Sequence, residues 1–532
     1  MKYITIKYYL YWILAHCILL VSTTVSDAQT AKGTVYNDLN KNSIMDRGEP
    51  GVAEVLVSNG IDVVLTDQNG LYQIEAPENS VIFVIKPSGY EFPVSENNIP
   101  QFYYLHYPNG SPKLHFEGVQ KTGPLPKQIN FALISASETD TFKAIFFGDT
   151  QPYSLTDIDY LSRDVIPELI GKDDYIFASV LGDIVGDNLS FFSPLTEAMA
   201  LLEKPVYYVQ GNHDMNYDVT DDRLASETYK AVFGPKNYAF NYGQVHFVVL
   251  DNIIYSGDTI TKDYNEGFDE ESVTFLKNDL SFVNKDKLIV LMMHAPFINE
   301  NTQSGITNLD KILAELNKFP YTFSISGHNH TISQHLISDT YSWTQSKPHH
   351  HFNAGAACGD WWQGMLDEEG LPDATMRDGS PNGYTIVTFS GNTYIFDYKA
   401  ARQPIGHQLN IFAPELIRKT ENQYSWSNSY FYVNFFIGSK TDSVSFRVDN
   451  SNWKAMTYTI EPDPSYYNIN MTWDNSTSLI AGRRPSWPED CLHLWKARLP
   501  AYLSPGYHTI EVEAFDIFGR KHEGSFVYQI QE

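Results

Sequence analysis

"FKAIFFGDTQPYSL", residues 142–155, runs as an apolar strand and stops at Gly148-Asp149-Thr150-Gln151, where a carboxylate and an amide lie two residues apart. Taken alone it reads equally as a turn, since Gly-Asp is an ordinary way to end a buried strand. Four later segments repeat the pattern. Val180-Leu181 leads to Gly182-Asp183, Val209-Gln210 to Gly211-Asn212-His213-Asp214, Met292-Met293 to His294, and Ile325-Ser326 to Gly327-His328-Asn329-His330. Between these strands, residues 157–170, 193–203, 270–283 and 309–319 carry apolar side chains at three- and four-residue steps, which predicts helices. Strands alternating with helices predict an α/β sheet domain from Thr141 to about Phe389, interrupted by a hairpin over residues 238–252. In open α/β sheets the carboxyl ends of the strands face one crevice, so residues distant in sequence can converge there.

On either side the pattern changes to short strands and turns. Residues 51–74, "GVAEVLVSNGIDVVLTDQNGLYQI", have β-branched runs broken by Asn-Gly and Asp-Gln-Asn-Gly, which are hairpin signals. From about Ile411 the chain alternates again and ends in "GYHTIEVEAFDIFGRKHEGSFVYQI", residues 506–530. Each flank is most simply a β-sandwich. The expected fold class is therefore multidomain α/β plus all-β. The expected boundaries are a signal peptide over 1–28, an N-terminal β-sandwich over 29–137, a central domain over 138–402 and a C-terminal β-sandwich over 403–532.

Composition fits packed domains in an exported chain. At 532 residues the chain exceeds one ordinary core, and 42% hydrophobic and 14% aromatic residues argue against disorder. A formal charge of −27 argues against nucleic acid as the main partner, because phosphate-backbone binding needs clustered Lys and Arg. Lys2 and Lys7, the apolar run Tyr8 to Val21 and the small residues before Ala28 read as a secretory signal cut after Ala28. The run falls short of the ~20 residues that span a bilayer, so no transmembrane anchor is expected after cleavage. The expected location is periplasm, cell surface or medium. Cys358 and Cys491 remain beyond the signal and are taken as free thiols.

In order along the chain, GDTQ, GDIVGDN, GNHD, a strand ending MMHAP, and GHNH resemble the signature of the calcineurin-like metallophosphoesterases. The segments "HHHFNAGAACGDWW" (349–362) and "MRDGSPNGY" (376–384), with the C-terminal sandwich, resemble a bacterial exported three-domain subgroup. The resemblance implies a central four-layer α/β/β/α sandwich with two mixed sheets between helices. It also implies two divalent metal ions, of Mn, Fe, Zn or Mg type. Asp183 would bridge them; Asp149, His330 and Gln151, which stands where the family often has His, would complete one site, and Asn212, His294 and His328 the other. Carboxylate, imidazole and amide donors with no thiolate suit such hard to borderline ions. In such enzymes a metal-bridging hydroxide attacks the phosphorus.

Beside ligand Asn212, His213 is placed to stabilise charge or protonate the leaving oxygen. Asp214 reads equally as the orienter of that imidazole and as a helix N-cap. Asp187 and Asn188 are candidates for orienting ligands or touching substrate, or they cap the next helix. His349, His350 and His351 are candidates for phosphate contact, against a surface role of equal weight. Trp361 and Trp362 offer a stacking wall, although aromatics of this kind more often fill cores. Near the N-terminus, Asp38, Asn40, Asn42, Ile44, Asp46 and Glu49 hold positions one, three, five, seven, nine and twelve of a calcium loop, with Ser43 in place of the usual Gly at six. Its flanks are strand-like, and the segment resembles the B-type repeat domains of bacterial surface proteins. An Asn/Asp-rich turn explains the same residues without calcium.

The expected function is an exported, metal-dependent phosphohydrolase acting on a phosphate mono- or diester of a small molecule, lipid headgroup or glycan. The rival is a non-catalytic surface module that binds glycan or protein and uses the central domain as a scaffold.

Overall fold

The computed structural model describes residues 29–257, 261–299, 304–418, 429–500 and 502–531. The expected signal segment, 1–28, lies outside them.

The central domain is built on runs buried on both faces. Strands β1 (Thr141–Phe147), β2 (Phe177–Leu181) and β3 (Val206–Val209) lie parallel, and β1 also pairs antiparallel with β10 (Gly383–Ser390), itself paired with β11 (Thr393–Ala400). The order is β3-β2-β1-β10-β11. A second mixed sheet joins β4 (Tyr238–Tyr242), β5 (Val245–Val249), β6 (Leu288–Met292), β7 (Thr322–Ser326), β8 (Ile332–Ile337) and β9 (His349–Ala354) in the order β4-β5-β6-β7-β9-β8. Near-continuous hydrophobic sequence is what such doubly covered strands require.

The two sheets meet through aromatic rings. Phe177 lies edge-on to Phe240 and Phe247, with centroids 5.4 and 5.2 Å away, and Tyr207 stacks on Phe240 at 4.0 Å. Outside them lie helices Leu155–Asp164 with Phe192–Met199, and Glu270–Leu280 with Leu309–Leu316. This is the expected α/β/β/α order. The first helix ends earlier than its apolar spacing predicted, because Pro167 forces a 3-10 turn over Ile166–Glu168.

Both flanking domains are sandwiches. The N-terminal one stacks two four-stranded sheets, and strands Gln29–Asn37 and Phe131–Ser135 pair in parallel within one of them. The C-terminal one stacks a four-stranded on a five-stranded sheet and adds a twelve-residue helix, Pro464–Asn475. That helix corrects an all-strand expectation: only Tyr466 and Asn470 on it are buried, so its sequence shows no apolar stripe. No helix among the described residues is long and apolar enough to cross a membrane.

Candidate metal centre

The carboxyl ends of β1, β2, β3, β6 and β7 converge at one edge of both sheets. Their turns are tight and strained. Asp149, Gln151, Asp183, Asp187, His328 and His330 all have positive φ, from 33° to 82°. Non-glycine residues held there cost about 1–3 kcal/mol each and persist only where the surroundings fix them. The glycines between them allow close approach: at Gly182, φ 90°, a Cβ would meet the His294 ring at 2.3 Å, and at Gly211 it would meet Asp183 at 2.1 Å.

Asp183 sits at the middle. Its Oδ1 accepts the His213 backbone N–H at 2.8 Å and lies 3.3 Å from His294 Nε2. His294 Nδ1 faces the Leu181 carbonyl at 2.9 Å. A carbonyl only accepts, so Nδ1 carries the proton and Nε2 turns its lone pair inward, the way a metal-ligating imidazole is oriented. Nε2 is 3.0 Å from both Asn212 Oδ1 and His328 Nδ1. Donor atoms of Asp183, His294 and His328 all lie within 4.8 Å of one another.

On the other side, Asp149 Oδ2 accepts the His328 backbone N–H at 2.7 Å. His330 Nδ1 donates to the Gly359 carbonyl at 2.6 Å, so its Nε2 points at Asp149 Oδ1, 3.7 Å away. Asp149 Oδ1 and Gln151 Oε1 are buried with no hydrogen-bond partner, while the Gln151 amide N–H donates to Asp183 Oδ2 at 3.2 Å. Buried, orphaned oxygens are costly, and these lie together beside inward-facing imidazoles.

The electrostatics point the same way. Burial, reinforced by the charge of Asp183, pushes the Asp149 carboxyl up. Burial opposes charge on His294, yet Asp183 and Asp149 favour positive charge at its position, supplied either by a proton on Nε2, with the imidazole held up at about 10, or in place of that proton by a bound cation. Two carboxylates sealed from water thus draw positive charge to themselves. The donor set fits divalent ions: Asp183, Asn212, His294 and His328 would hold one, and Asp149, Gln151 and His330, with Asp183 shared, the other.

At the mouth, His213 Nδ1 lies 2.6 Å from Asp187 Oδ1, and its Nε2 faces Asp183 Oδ2 at 4.0 Å. Burial works against a charged ring, but Asp183 and Asp187 hold its pKa up at about 9. The residue that orients this imidazole is therefore Asp187, not Asp214. The Asp214 carboxylate is fully buried and accepts backbone N–H groups of Gly211, Ile184 and Val185 at 2.8, 3.1 and 3.1 Å, tying the two ligand turns together. Asp187 is further held by Lys262 Nζ at 2.7 Å. Asn188 points away and caps the 3-10 turn Leu189–Phe191, its Oδ1 accepting from Ser190.

The histidine run is also not at the site. His349, His350 and His351 form β9, buried on both faces. His349 bonds Thr322 and Ser324, His350 bonds Tyr394 and Gln334, and His351 bonds Ser324 and Ser326. Burial pushes His349 and His350 down to about 3, so they are neutral core residues. Trp362 is likewise core, its indole donating to the Thr150 carbonyl. Trp361 does border the centre, its ring 4.5 Å from that of His330. The C-terminal domain braces this turn: Arg483 donates to the carbonyls of Trp361 and Trp362 and pairs with Asp157 at 2.9 Å. Cys358 and Cys491 are free and buried.

In the N-terminal loop the side chains of Asp38, Asn40, Asn42, Asp46 and Glu49 turn onto one another and onto the loop backbone, with Lys41 and Ser43 at positive φ. Asp38 accepts from Asn42 and Ser43, Asp46 from Asn40 and Asn42, and Glu49 from Leu39 and Asp46. The side chain of Ile44 is exposed.

Several residues escaped the sequence reading. Asn252 accepts the backbone N–H of His294 and Ala295, fixing the end of β6. Glu266 lies 3.3 Å from His328 Nε2. Tyr217 donates to the Asn212 carbonyl, and Lys262 lies 4.7 Å over its ring. Of these only Asn252 had a signal, as a polar residue at another strand end.

Comparisons with known proteins agree with this geometry. Residues 142–331 match the calcineurin-like phosphoesterase family, 39–121 match the N terminal of calcineurin-like phosphoesterase, and 351–522 match its C terminal. The last match begins inside the central sheets, which take β9, β10 and β11 from it. A search of curated proteins found no match. Among solved structures, the chain is similar to a purple acid phosphatase from yellow lupin (Lupinus luteus) seeds, with 12% identity, 65% of this chain and 67% of that chain covered, and a TM-score of 0.35. It is also similar to a cold-active protein-tyrosine phosphatase of a psychrophilic Shewanella species, with 12% identity, coverages of 65% and 98%, and a TM-score of 0.19. Superpositions this loose say nothing about activity.

Proposed function

Because this chain belongs to the calcineurin-like phosphoesterase family, we propose that it is an exported hydrolase cleaving a phosphate mono- or diester at the strand-end centre. The observation that carries the reading is the donor set itself: the cluster of Asp183, His294 and His328, together with the buried, unpartnered oxygens of Asp149, which faces His330, and Gln151. Divalent ions held there would supply Lewis acidity to the phosphoryl group and acidify the attacking water.

The protein's own residues divide the remaining work. Asp183 and Asp149 gather positive charge, and the Leu181 and Gly359 carbonyls fix the tautomers of His294 and His330. His213, oriented by Asp187, hands a proton to the leaving oxygen. Export rests on the leader-like sequence over residues 1–28. The test is hydrolysis of an aryl phosphate and a bis-aryl phosphate with Mn²⁺. Asp183→Asn and His294→Ala are expected to abolish turnover while circular dichroism stays that of the parent. Unchanged turnover in both would overturn the assignment; glycan binding without hydrolysis by the parent would favour the surface-module reading.

A further inference from the structure

We propose that the cleft beside His328 is a leaving-group subsite for a hydroxyl-rich group, a sugar or polyol carried on the phosphate, and that Tyr264, Asn265 and Thr307 set that preference. The inference rests on the phosphoesterase reading and names its substrate class.

The cleft lies between strand Tyr264–Glu266, which pairs with Ile253–Tyr255, and the strand pair Ile298–Asn299 and Ser304–Gly305. Its volume is about 400 Å³, room for one monosaccharide-sized group. Its Glu266 and Tyr264 border the centre at His328. Glu266 Oε1 is 3.3 Å from His328 Nε2, its Oε2 accepts from Asn299 Nδ2 at 2.9 Å, and the Tyr264 ring is 6.1 Å from the His328 ring. A group bonded to a phosphate at the centre is thus within reach of this wall.

The lining chemistry selects the occupant. Amides come from Asn265 and Asn299, hydroxyls from Ser304 and Thr307, a carboxylate from Glu266 and one aromatic ring from Tyr264. Amides and hydroxyls donate and accept, which matches the mixed character of an alcohol. No Lys or Arg lines the cleft among the described residues. A second phosphate would meet Glu266 without a counter-cation, which disfavours nucleoside di- and triphosphates. An acyl chain would cover the Asn265 amide and the Thr307 hydroxyl without bonding them, which disfavours a lipid tail. A sugar satisfies both, with its hydroxyls on the rim and a C–H face against the single ring.

The backbone that carries the recognising side chains is also held in place. Thr307 N–H donates to the Glu266 carbonyl at 3.1 Å, its carbonyl accepts Phe268 N–H at 3.0 Å, and Gly267 N–H donates to the Asn252 carbonyl at 2.9 Å. The same Asn252 side chain fixes His294, so subsite and centre share one support. Asn265 and Thr307 are exposed, and their side chains make no hydrogen bond among the described residues. The fixed backbone leaves only the Asn265 and Thr307 side chains to be ordered on binding.

The test uses the full chain loaded with Mn²⁺ and compares kcat/KM for a hexose monophosphate, a bis-glycerol phosphodiester, p-nitrophenyl phosphate and a nucleoside diphosphate. At least one of the two hydroxyl-rich esters is expected to exceed the nucleoside diphosphate about ten-fold or more. In the double variant Asn265→Ala/Thr307→Val, both changes lying on exposed side chains, KM for that ester is expected to rise about ten-fold from the loss of two hydrogen bonds. The ratio of its kcat/KM to that of p-nitrophenyl phosphate should fall in step. Hydrolysis of p-nitrophenyl phosphate with no hydroxyl-rich preference, or an unmoved KM in the double variant, would overturn the subsite and leave the phosphoesterase reading standing. No hydrolysis of any ester would overturn both.

Discussion

Replacing Asp187 by Asn isolates the pairing that orients His213. Asn keeps the size and an acceptor opposite Nδ1 but removes the charge from a contact of 2.6 Å. Charge-assisted hydrogen bonds contribute about 1.5–3 kcal/mol. Both side chains are a quarter or more exposed, at 26% and 29%, so the lower half of that range applies. About 2 kcal/mol corresponds to about thirty-fold in kcat. The assay compares p-nitrophenyl phosphate, whose leaving group departs without a proton, with phenyl phosphate, whose leaving group needs one. The loss should be concentrated on phenyl phosphate. Lys262→Met, which removes the other partner of Asp187 from a side chain 55% exposed, should cost about two-fold or less. An equal loss on both esters, or no loss on either, would refute the assignment of His213 as proton donor and Asp187 as its orienter.

Three further outcomes follow from named contacts. Asp214→Asn puts an amide N–H group where one buried carboxylate oxygen accepts backbone N–H groups, leaving at least one of them without a partner, so it should destabilise the fold by about 3 kcal/mol in urea titration while phenyl and p-nitrophenyl phosphate lose activity equally. Gly182→Ala drives a methyl into the His294 ring and forces alanine to φ 90°; bound metal per chain should fall even where near-ultraviolet circular dichroism shows a folded protein. Gln151→His exchanges a neutral amide for imidazole and should tighten Mn²⁺ or Zn²⁺ retention during dialysis, without abolishing turnover; unchanged retention would mean that Gln151 does not ligate.

What was legible in the sequence was local. Asp149, Asp183, Asn212, His294, His328 and His330 each lie within a few residues after an apolar run, so strand ends and candidate ligands were read together. What was illegible depends on turns and on the second sheet. Asp214 adjoins His213 in sequence and reads as its orienter, whereas Asp187 lies 26 residues earlier and reads as a ligand-orienting or substrate residue. Only the left-handed turn at Asp187, φ 66°, and the burial of Asp214 against Ile184 and Val185 decide between them. The run His349–His351 reads as phosphate-contacting or surface because it is polar, yet β9 lies between β7 and β8, where Ser324 and Ser326 supply partners and satisfied imidazoles can be buried. Glu266 carries no motif at all. It comes to His328 from a short hairpin 62 residues earlier, a placement that no periodicity records.

The central claim is that this strand-end set binds the ions on which phosphoester hydrolysis depends. It is tested most directly by stripping the protein with a chelator and titrating Mn²⁺ back, following bound metal and p-nitrophenyl phosphate turnover in one experiment, with Asp183→Asn in parallel. Turnover is predicted to be absent from the stripped protein, to rise with occupancy and to level off near two ions per chain, with neither binding nor turnover recovered in the variant. Turnover by the stripped protein, or tight Mn²⁺ binding by Asp183→Asn equal to that of the parent, would contradict it.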